Sequence, residues 1–246
     1  MEILGVRIDN FSTAEALERA KVFLRSTDQH MICTPNPEML VAANRNPYFR
    51  DLLNKSALNL CDGVGLRFFG RIKERITGID FMRSLCAVAA RSDSSVYLLG
   101  GGSASVAHDT AAILRRHLPG FKVVGADQGF PIHLDDERRL QYDKDMDEAA
   151  VLRIIEAAPK ILFVAFGHEK QEKWMYEHLP QLPSVRIVMG VGGAFDMIAG
   201  KRKRAPAWMR KIGLEWLWRL MLDPKRIGRM WNAVVVFPYL VIKSKI

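Results

Sequence analysis

Short apolar runs alternate with longer segments of helical periodicity along most of the chain. The runs that predict strands cover residues 31–33, 58–61, 96–99, 121–124, 161–166 and 185–189. Helical patterns separate them, and the first begins at Ser12, with Glu15 three residues on in the spacing of a capping box. The alternation predicts an α/β fold, a Rossmann-like parallel sheet with helices on both faces.

Small and polar residues follow the ends of these predicted strands. The turns concerned are 34–37, 62–63, 100–103, 125–129, 167–172 and 190–196. Open parallel sheets bind ligands at this edge, where glycine admits a close backbone and helix N-termini attract phosphate. The repetition favours a nucleotide or another phosphorylated ligand, with ordinary turn chemistry as the alternative at each position.

Basic residues are concentrated at one end of the chain. In total, 36 Lys and Arg against 27 Asp and Glu give a net charge of +9. Residues 1–200 carry a net charge of −1, whereas residues 201–246 carry +10 and four of the five Trp. This asymmetry predicts two parts, an α/β domain over 1–200 and a basic, Trp-rich helical appendage over 201–246.

The appendage combines apolar residues with basic ones. Trp208, Ile212, Trp216 and Leu220 recur near helical spacing. Asp223 and Pro224 then predict the start of a second helix, and the apolar run 230–242 is closed by Lys243 and Lys245. That run is shorter than the roughly 20 residues of a spanning helix, so we expect the tail to lie on an anionic membrane surface. A subunit interface, or packing on the core, is the alternative.

The cysteines and the N-terminal residues bear on the compartment. The three Cys form no CxxC pair, which favours reduced core thiols over disulfides. The first twenty residues lack a basic start followed by an apolar stretch, so no secretory signal is predicted. We therefore expect a protein on the cytoplasmic side of the membrane.

Several familiar motifs are incomplete or missing. The dinucleotide pattern GxGxxG has Ser105 and Phe195 in place of its last glycine, and neither GxxxxGK[ST] nor GxSxG occurs. A nucleotide-dependent oxidoreductase is therefore a weak alternative. A nucleic-acid-binding protein is another, although the near-neutral 1–200 region offers no basic face. The six His are scattered, and Asp143, Asp145 and Asp147 lie in an acidic stretch, 135–148, that predicts a solvated loop entering a helix; no metal site is predicted.

Taken in order, the turns and the tail carry a collinear set of short motifs. They are TPNPEML at 34–40, DGVG at 62–65, RITGID at 75–80, LLGG at 98–101, VG at 124–125, GF at 129–130, KQE at 170–172, GVGGAFD at 190–196, KRAP at 203–206, GLEWLWR at 213–219, PKR at 224–226 and Arg229. Together they resemble the WecG/TagA/CpsF family of bacterial glycosyltransferases over nearly the whole chain. Glu169 departs from the family, which usually has Pro there, and so does Phe130-Pro131, where Gly-Tyr-Phe is common.

The resemblance implies an inverting, metal-independent and cofactor-free enzyme on the inner face of the cytoplasmic membrane. It would move a hexose from a UDP-sugar to a sugar linked by diphosphate to a polyprenol. It assigns the catalytic base to Asp62, whose local sequence fits an Asp-Gly turn or a helix cap equally well. It places Thr34 and Asn36 beside Asp62, on the acceptor sugar or the donor hydroxyls, with turn chemistry as the alternative.

The resemblance also implies the residues that bind the donor. Those expected to line the uridine and sugar pocket are Gly101, Gly102, Gln171, Glu172, Gly192, Gly193 and Asp196. For the glycines, close packing of helix on strand is the alternative. Arg219, Arg226 and Arg229 are expected near the diphosphate; the alternative is that they are solvated or bind lipid phosphates, above all Arg229. The sequence leaves open the hexose, the acceptor sugar and whether the chain forms a homo-oligomer.

Overall fold

The centre of the computed structural model, which describes residues 1–244, is a sheet of six parallel strands. In chain order, the strands of the described residues, of which six form this sheet, are β1 (Glu2–Ile3), β2 (Val6–Arg7), β3 (His30–Cys33), β4 (Leu58–Asn59), β5 (Val96–Gly100), β6 (Val123–Asp127), β7 (Ile132–Leu134), β8 (Leu140–Tyr142), β9 (Ile161–Ala165) and β10 (Ile187–Gly190). The order in the sheet is β4-β3-β10-β9-β5-β6, while β1 with β2 and β7 with β8 form antiparallel hairpins.

Helices flank the sheet and form the C-terminal part of the chain. They are α1 (Thr13–Arg25), α2 (Pro37–Arg45), α3 (Pro47–Lys55), α4 (Val64–Gly70), α5 (Gly78–Arg91), α6 (Ala104–His117), α7 (Lys144–Ala157), α8 (Lys170–His178), α9 (Ala194–Ile198), α10 (Ala207–Lys211), α11 (Glu215–Leu222), α12 (Ile227–Trp231) and α13 (Phe237–Lys243). A π-helical turn, Asn232–Val236, joins the last two.

Successive residues of the central strands contribute to two different hydrophobic clusters. In β9, Ile161 and Phe163 pack in one cluster with α1, α5 and α6. Leu162 and Val164 pack in the other with α2, α3 and α7. Because both faces are covered, the strands are apolar at consecutive positions, which explains the continuous runs in the sequence. The predicted α/β fold with a parallel sheet is confirmed, as is the capping box of α1 at Ser12 and Glu15.

The fourth predicted turn is misplaced. Residues 125–127 belong to β6, and the strand begins later than the apolar run suggested. A Cβ atom on Gly125 would lie 2.1 Å from the ring of Tyr97, its partner on β5. This glycine therefore admits an aromatic ring between neighbouring strands and does not mark a turn.

The acidic stretch is more ordered than a solvated loop. Residues 132–142 form the hairpin of β7 and β8, and Asp143 caps α7 by accepting a hydrogen bond from the Met146 N–H. The interpretation of Asp147 as solvated surface is wrong, because it is buried and accepts hydrogen bonds from Trp174 Nε1 at 2.7 Å and His178 Nε2 at 2.9 Å. Burial opposes a charge on His178, but the Asp147 hydrogen bond raises its pKa above the ordinary value.

Two helices, rather than one, carry the apolar spacing of the tail. The helix is interrupted between α10 and α11 at Gly213, whose φ is +83°. A Cβ atom on Gly213 would lie 2.3 Å from Val64. Asp223 and Pro224 stand at the predicted start of the next helical segment, a 3₁₀ turn, Pro224–Arg226, that runs directly into α12, but the Asp223 side chain makes no cap hydrogen bond.

The end of the tail packs on the body of the protein. Phe237 and Val241 of α13 are buried in the cluster that contains α2, so part of this segment follows the core-packing alternative. Lys245 lies outside the described residues. None of the helices within residues 1–244 combines the length and the hydropathy needed to cross a bilayer.

Candidate active site

A cleft of about 650 Å³ lies at the carboxyl ends of the parallel strands, under the tail. The chain leaves β5 toward β6 and leaves β9 toward β10 in the opposite direction, which opens a crevice at this edge of the sheet. Every predicted site residue except Glu172 lines the cleft. They are Thr34, Asn36, Asp62, Gly101, Gly102, Gln171, Gly192, Gly193, Asp196, Arg219, Arg226 and Arg229.

Asp62 lies just beyond β4, with its carboxylate at the start of α5. Its Oδ2 accepts a hydrogen bond from the Gly78 N–H at 3.2 Å. It does not cap α4, which begins after Gly63 without a side-chain cap. Gly63 instead permits close approach of two loops, since a Cβ atom there would lie 2.6 Å from Pro37 Cδ.

The surroundings of Asp62 shift the pKa of its carboxyl group upward. Burial raises the pKa of Asp62 above its ordinary value; Arg219 and the Gly78 N–H oppose that rise, and Glu215 adds to it. Such a carboxylate is a stronger base than an exposed one while still lining the cleft, which is what a general base requires.

Thr34 and Asn36 stand next to Asp62 in the loop after β3. Asn36 Oδ1 caps α2 by accepting a hydrogen bond from the Met39 N–H at 3.0 Å. The turn-chemistry alternative therefore describes this oxygen, while the side chain still lines the cleft. Thr34 packs against the start of α5, where a Cβ atom on Gly78 would lie 3.1 Å from its Oγ1.

The predicted donor glycines divide into packed and open positions. A Cβ atom on Gly101 would lie 2.8 Å from Val106, so this glycine allows helix α6 to pack on the strand. Gly102 has φ of +76° and no heavy atom near the place of a Cβ, and it faces the cleft before α6. Its backbone is open to a ligand at a helix N-terminus, where phosphate is favoured.

Gln171 and Glu172 have different environments, although they are neighbours on α8. Gln171 Oε1 accepts a hydrogen bond from the Gly192 N–H at 2.9 Å, and its Nε2 donates to Glu172 Oε1 at 2.7 Å. Glu172, in contrast, is only 1% exposed and does not line the cleft, and its carboxylate holds the side chain of Gln171. Burial raises the pKa of Glu172 to about 7.

Asp196 lies in the first turn of α9, after the glycines that follow β10. Burial raises the pKa of its carboxyl group, and Arg202 opposes that rise. The side chain lines the cleft and is an available acceptor on the side of Gly192 and Gly193.

Four arginines meet on the tail side of the cleft: Arg202, Arg219, Arg226 and Arg229. Burial lowers the pKa of Arg226, and repulsion from the other three adds to that effect. Arg226 Nε is buried and has no hydrogen-bond partner within the described residues. A cluster of guanidinium groups with an unpaired buried donor is the environment that a phosphate satisfies.

Acidic partners position two of these arginines. Arg219 Nη2 donates to Glu215 Oε1 at 2.9 Å, and Glu215 is buried. Arg229 forms a two-point pair with Glu38 on α2, with distances of 2.7 and 2.9 Å. Arg229 therefore reaches back over the cleft toward the body.

Two features of the site were missed from the sequence. Arg204 pairs with both carboxylate oxygens of Asp80 at 2.6 Å and holds the start of the tail on α5. His168 follows β9 and lines the cleft; burial lowers its pKa, and its Nδ1 has no partner among the described residues. The position of His168 in the turn that follows the apolar run 161–166 was the available signal. Within residues 1–244, no three His, Cys, Asp or Glu side chains are grouped so as to hold a metal ion.

Comparison with known proteins gives consistent matches. The sequence model described as "Glycosyl transferase WecG/TagA/CpsF family" matches residues 1–246. The chain is also 32% identical, over 252 residues, to curated proteins of Staphylococcus aureus strains NCTC 8325 / PS 47, COL and MSSA476. These matches cover 100% of this chain and 93% of each relative, and each relative is described as an N-acetylglucosaminyldiphosphoundecaprenol N-acetyl-beta-D-mannosaminyltransferase.

Proposed function

Because the chain belongs to the WecG/TagA/CpsF family of glycosyltransferases, we propose that it moves a hexose from a UDP-sugar to a lipid-linked acceptor. The acceptor is a sugar joined by diphosphate to a polyprenol, as the description of the staphylococcal relatives suggests. N-acetylglucosamine is the first acceptor sugar to test and N-acetylmannosamine the first donor sugar, since both occur in that description.

One observation carries the proposal: Asp62 and an arginine cluster line the same cleft. In an inverting transfer, the acceptor oxygen bonds to the anomeric carbon as Asp62 takes the hydroxyl proton. The electron pair of the broken carbon–oxygen bond leaves on the diphosphate of UDP. The raised pKa of Asp62, due first to burial, supports its role as base.

The arginines supply the positive charge that the leaving group needs. Arg219, Arg226 and Arg229 bind the diphosphate in this proposal, and Arg219 and Arg226 each have a buried Nε without a hydrogen-bond partner among the described residues. Guanidinium forks match phosphate oxygens two at a time, which supports a transfer that needs no divalent metal.

The donor nucleotide and sugar lie along the loops that follow β5 and β10. Gly102, Gly192 and Gly193 bring the backbone close to the ligand, and Asp196 accepts a hydrogen bond from the uracil N–H or a ribose hydroxyl. Gln171 holds the Gly192 loop through its hydrogen bond to the backbone N–H.

The tail also serves as a membrane surface, which makes the enzyme peripheral on the inner face of the cytoplasmic membrane. Trp208 and Trp231 are exposed on α10 and α12 among basic residues. Trp and Arg together are typical of segments that lie at the headgroup level. This location brings the cleft to an acceptor whose sugar stays near the bilayer.

The test is a transfer assay with radiolabelled UDP-sugars and a polyprenyl-diphosphate-linked N-acetylglucosamine. We expect transfer that persists in the presence of a chelator. Nuclear magnetic resonance of the product should show that the configuration at the anomeric carbon is inverted relative to the donor. Asp62→Asn should lower the rate roughly 10²–10⁴-fold while UDP still binds. Asp93→Asn is the control, because this carboxylate is exposed in the loop between α5 and β5, at the amino end of the strand and away from the cleft. Absence of transfer from every donor would overturn the proposal, and an active Asp62→Asn would remove Asp62 as base.

A further inference from the structure

Helix α4 presents an apolar and basic face to solvent. Val64, Arg67, Phe68 and Arg71 follow the spacing of a single helical face, Arg71 just beyond the helix end, and all four are exposed. Phe68 is 76% exposed and Val64 41%. Residues 64–73 include no Asp or Glu, so the face is cationic.

The opposite side of α4 is firmly held. Leu66 is buried in the core, and Phe69 packs edge-to-face on Phe237 of α13 with ring centres 5.7 Å apart. A Cβ atom on Gly65 would lie 3.3 Å from the same Phe237 ring. The exposure of Phe68 therefore belongs to a well-packed helix.

The exposed face of α4 continues into the exposed surface of the tail. Val64 packs directly over Gly213, the residue at the break between α10 and α11. Ile212, next to Gly213, is 60% exposed, and Trp208 lies one turn earlier on α10. An apolar strip with cations at its edge thus runs from the tail onto a helix of the body.

We propose that α4 is part of the membrane-binding surface, with Phe68 inserted at the acyl boundary and Arg67 and Arg71 on the phosphates of anionic lipids. This inference rests on the proposed function, which places the tail on the membrane. Charge complementarity selects an anionic bilayer as the occupant, because a row of arginines beside exposed aromatic and aliphatic residues matches headgroups over acyl chains.

The position of α4 in the chain gives this contact a consequence for catalysis. Only Gly63 separates Asp62 from the first residue of α4, so the two are joined by at most about 7 Å of chain. A bilayer that holds α4 therefore holds the catalytic base near the headgroups, where the diphosphate of a lipid-linked acceptor lies.

The test measures binding of the full-length protein to phosphatidylcholine vesicles with and without phosphatidylglycerol. We expect Phe68→Ala to weaken binding to the anionic vesicles roughly tenfold and Phe68→Trp to keep it. Arg67→Glu should weaken binding to the anionic vesicles only. Leu152→Ala and Arg116→Glu are matched controls, because both residues are exposed and lie outside the proposed surface, on α7 and α6.

The outcomes separate the possible occupants of this face. Unchanged vesicle binding in Phe68→Ala and Arg67→Glu would overturn the inference. If Phe68→Ala instead abolished a dimer seen in sedimentation and left vesicle binding intact, the face would be an interface between copies. If the wild-type protein transfers no sugar, only the proposed function is overturned, because vesicle binding still tests the role of α4. A wild type that binds no vesicles overturns the inference.

Discussion

Substitution of Glu172 by Gln should reverse a pH-dependent loss of stability. The carboxyl group is 1% exposed, its Oε2 has no partner among the described residues, and burial raises its pKa to about 7 from an ordinary 4.5. The folded protein therefore binds this proton more tightly than the unfolded chain. The contribution to stability is complete below pH 4.5 and is lost as the pH rises through about 7.

The difference between the two pKa values corresponds to about 3 kcal/mol in the free energy of unfolding. A glutamine side chain has no charge to bury, and its amide oxygen can still accept the hydrogen bond from Gln171 Nε2. We therefore expect the difference in unfolding free energy between Glu172→Gln and the wild type to increase by up to about 3 kcal/mol from pH 5 to pH 8. At the higher pH this corresponds to a melting temperature higher by roughly 6 °C.

Urea unfolding of both proteins at pH 5 and pH 8 measures this gain. The quantity compared is the difference in unfolding free energy between variant and wild type, which cancels the titration of other groups. Glu18→Gln, at an exposed position on α1, is the control and should show no such change. A difference that stays constant between the two pH values would refute the reasoning.

Two further substitutions test the polar core and the cleft. Asp147→Ala leaves the buried indole and imidazole donors of α8 unpaired and should lower the unfolding free energy by about 3 kcal/mol, whereas Asp145→Ala in the same turn should change it little. A decrease of less than about 1 kcal/mol in the unfolding free energy of Asp147→Ala would contradict the buried arrangement. Arg226→Ala should weaken UDP binding roughly tenfold or more in calorimetry, and Lys225→Ala is its exposed neighbour and control. Equal losses in these two variants would show that only the overall charge matters.

The location of the cleft was predictable because it depends on strand ends. Apolar runs mark buried parallel strands, and the loops that follow them meet at one edge of the sheet, which brought Asp62, Gly102 and Gly192 together. The partners of these residues were not predictable. That Asn36 caps α2, or that Asp147 meets α8, depends on contacts between segments that the local pattern does not relate.

The same limit explains Gly125 and Glu172. A glycine after an apolar run predicts a turn by local conformation, but Gly125 is required by the ring of a neighbouring strand. Glu172 follows Gln171 in a motif that the family resemblance assigned to donor binding as a unit. On a helix, consecutive side chains point about 100° apart, so one of the two faces the cleft and the other the core.

The tail shows why charge counting locates a function but does not divide it among residues. The excess of basic residues in 201–246 predicted an acidic partner, yet the helical phase is reset at Gly213 and again at Asp223, so sequence spacing does not tell which arginines face inward. Acidic partners in the folded protein position two of them: Glu215 pairs with Arg219 and Glu38 with Arg229, and both arginines line the cleft. Because α13 also packs in the body's core, deleting the tail would disturb the fold, the cleft and the membrane surface at once. Single substitutions on each face are therefore the way to separate diphosphate binding from lipid binding.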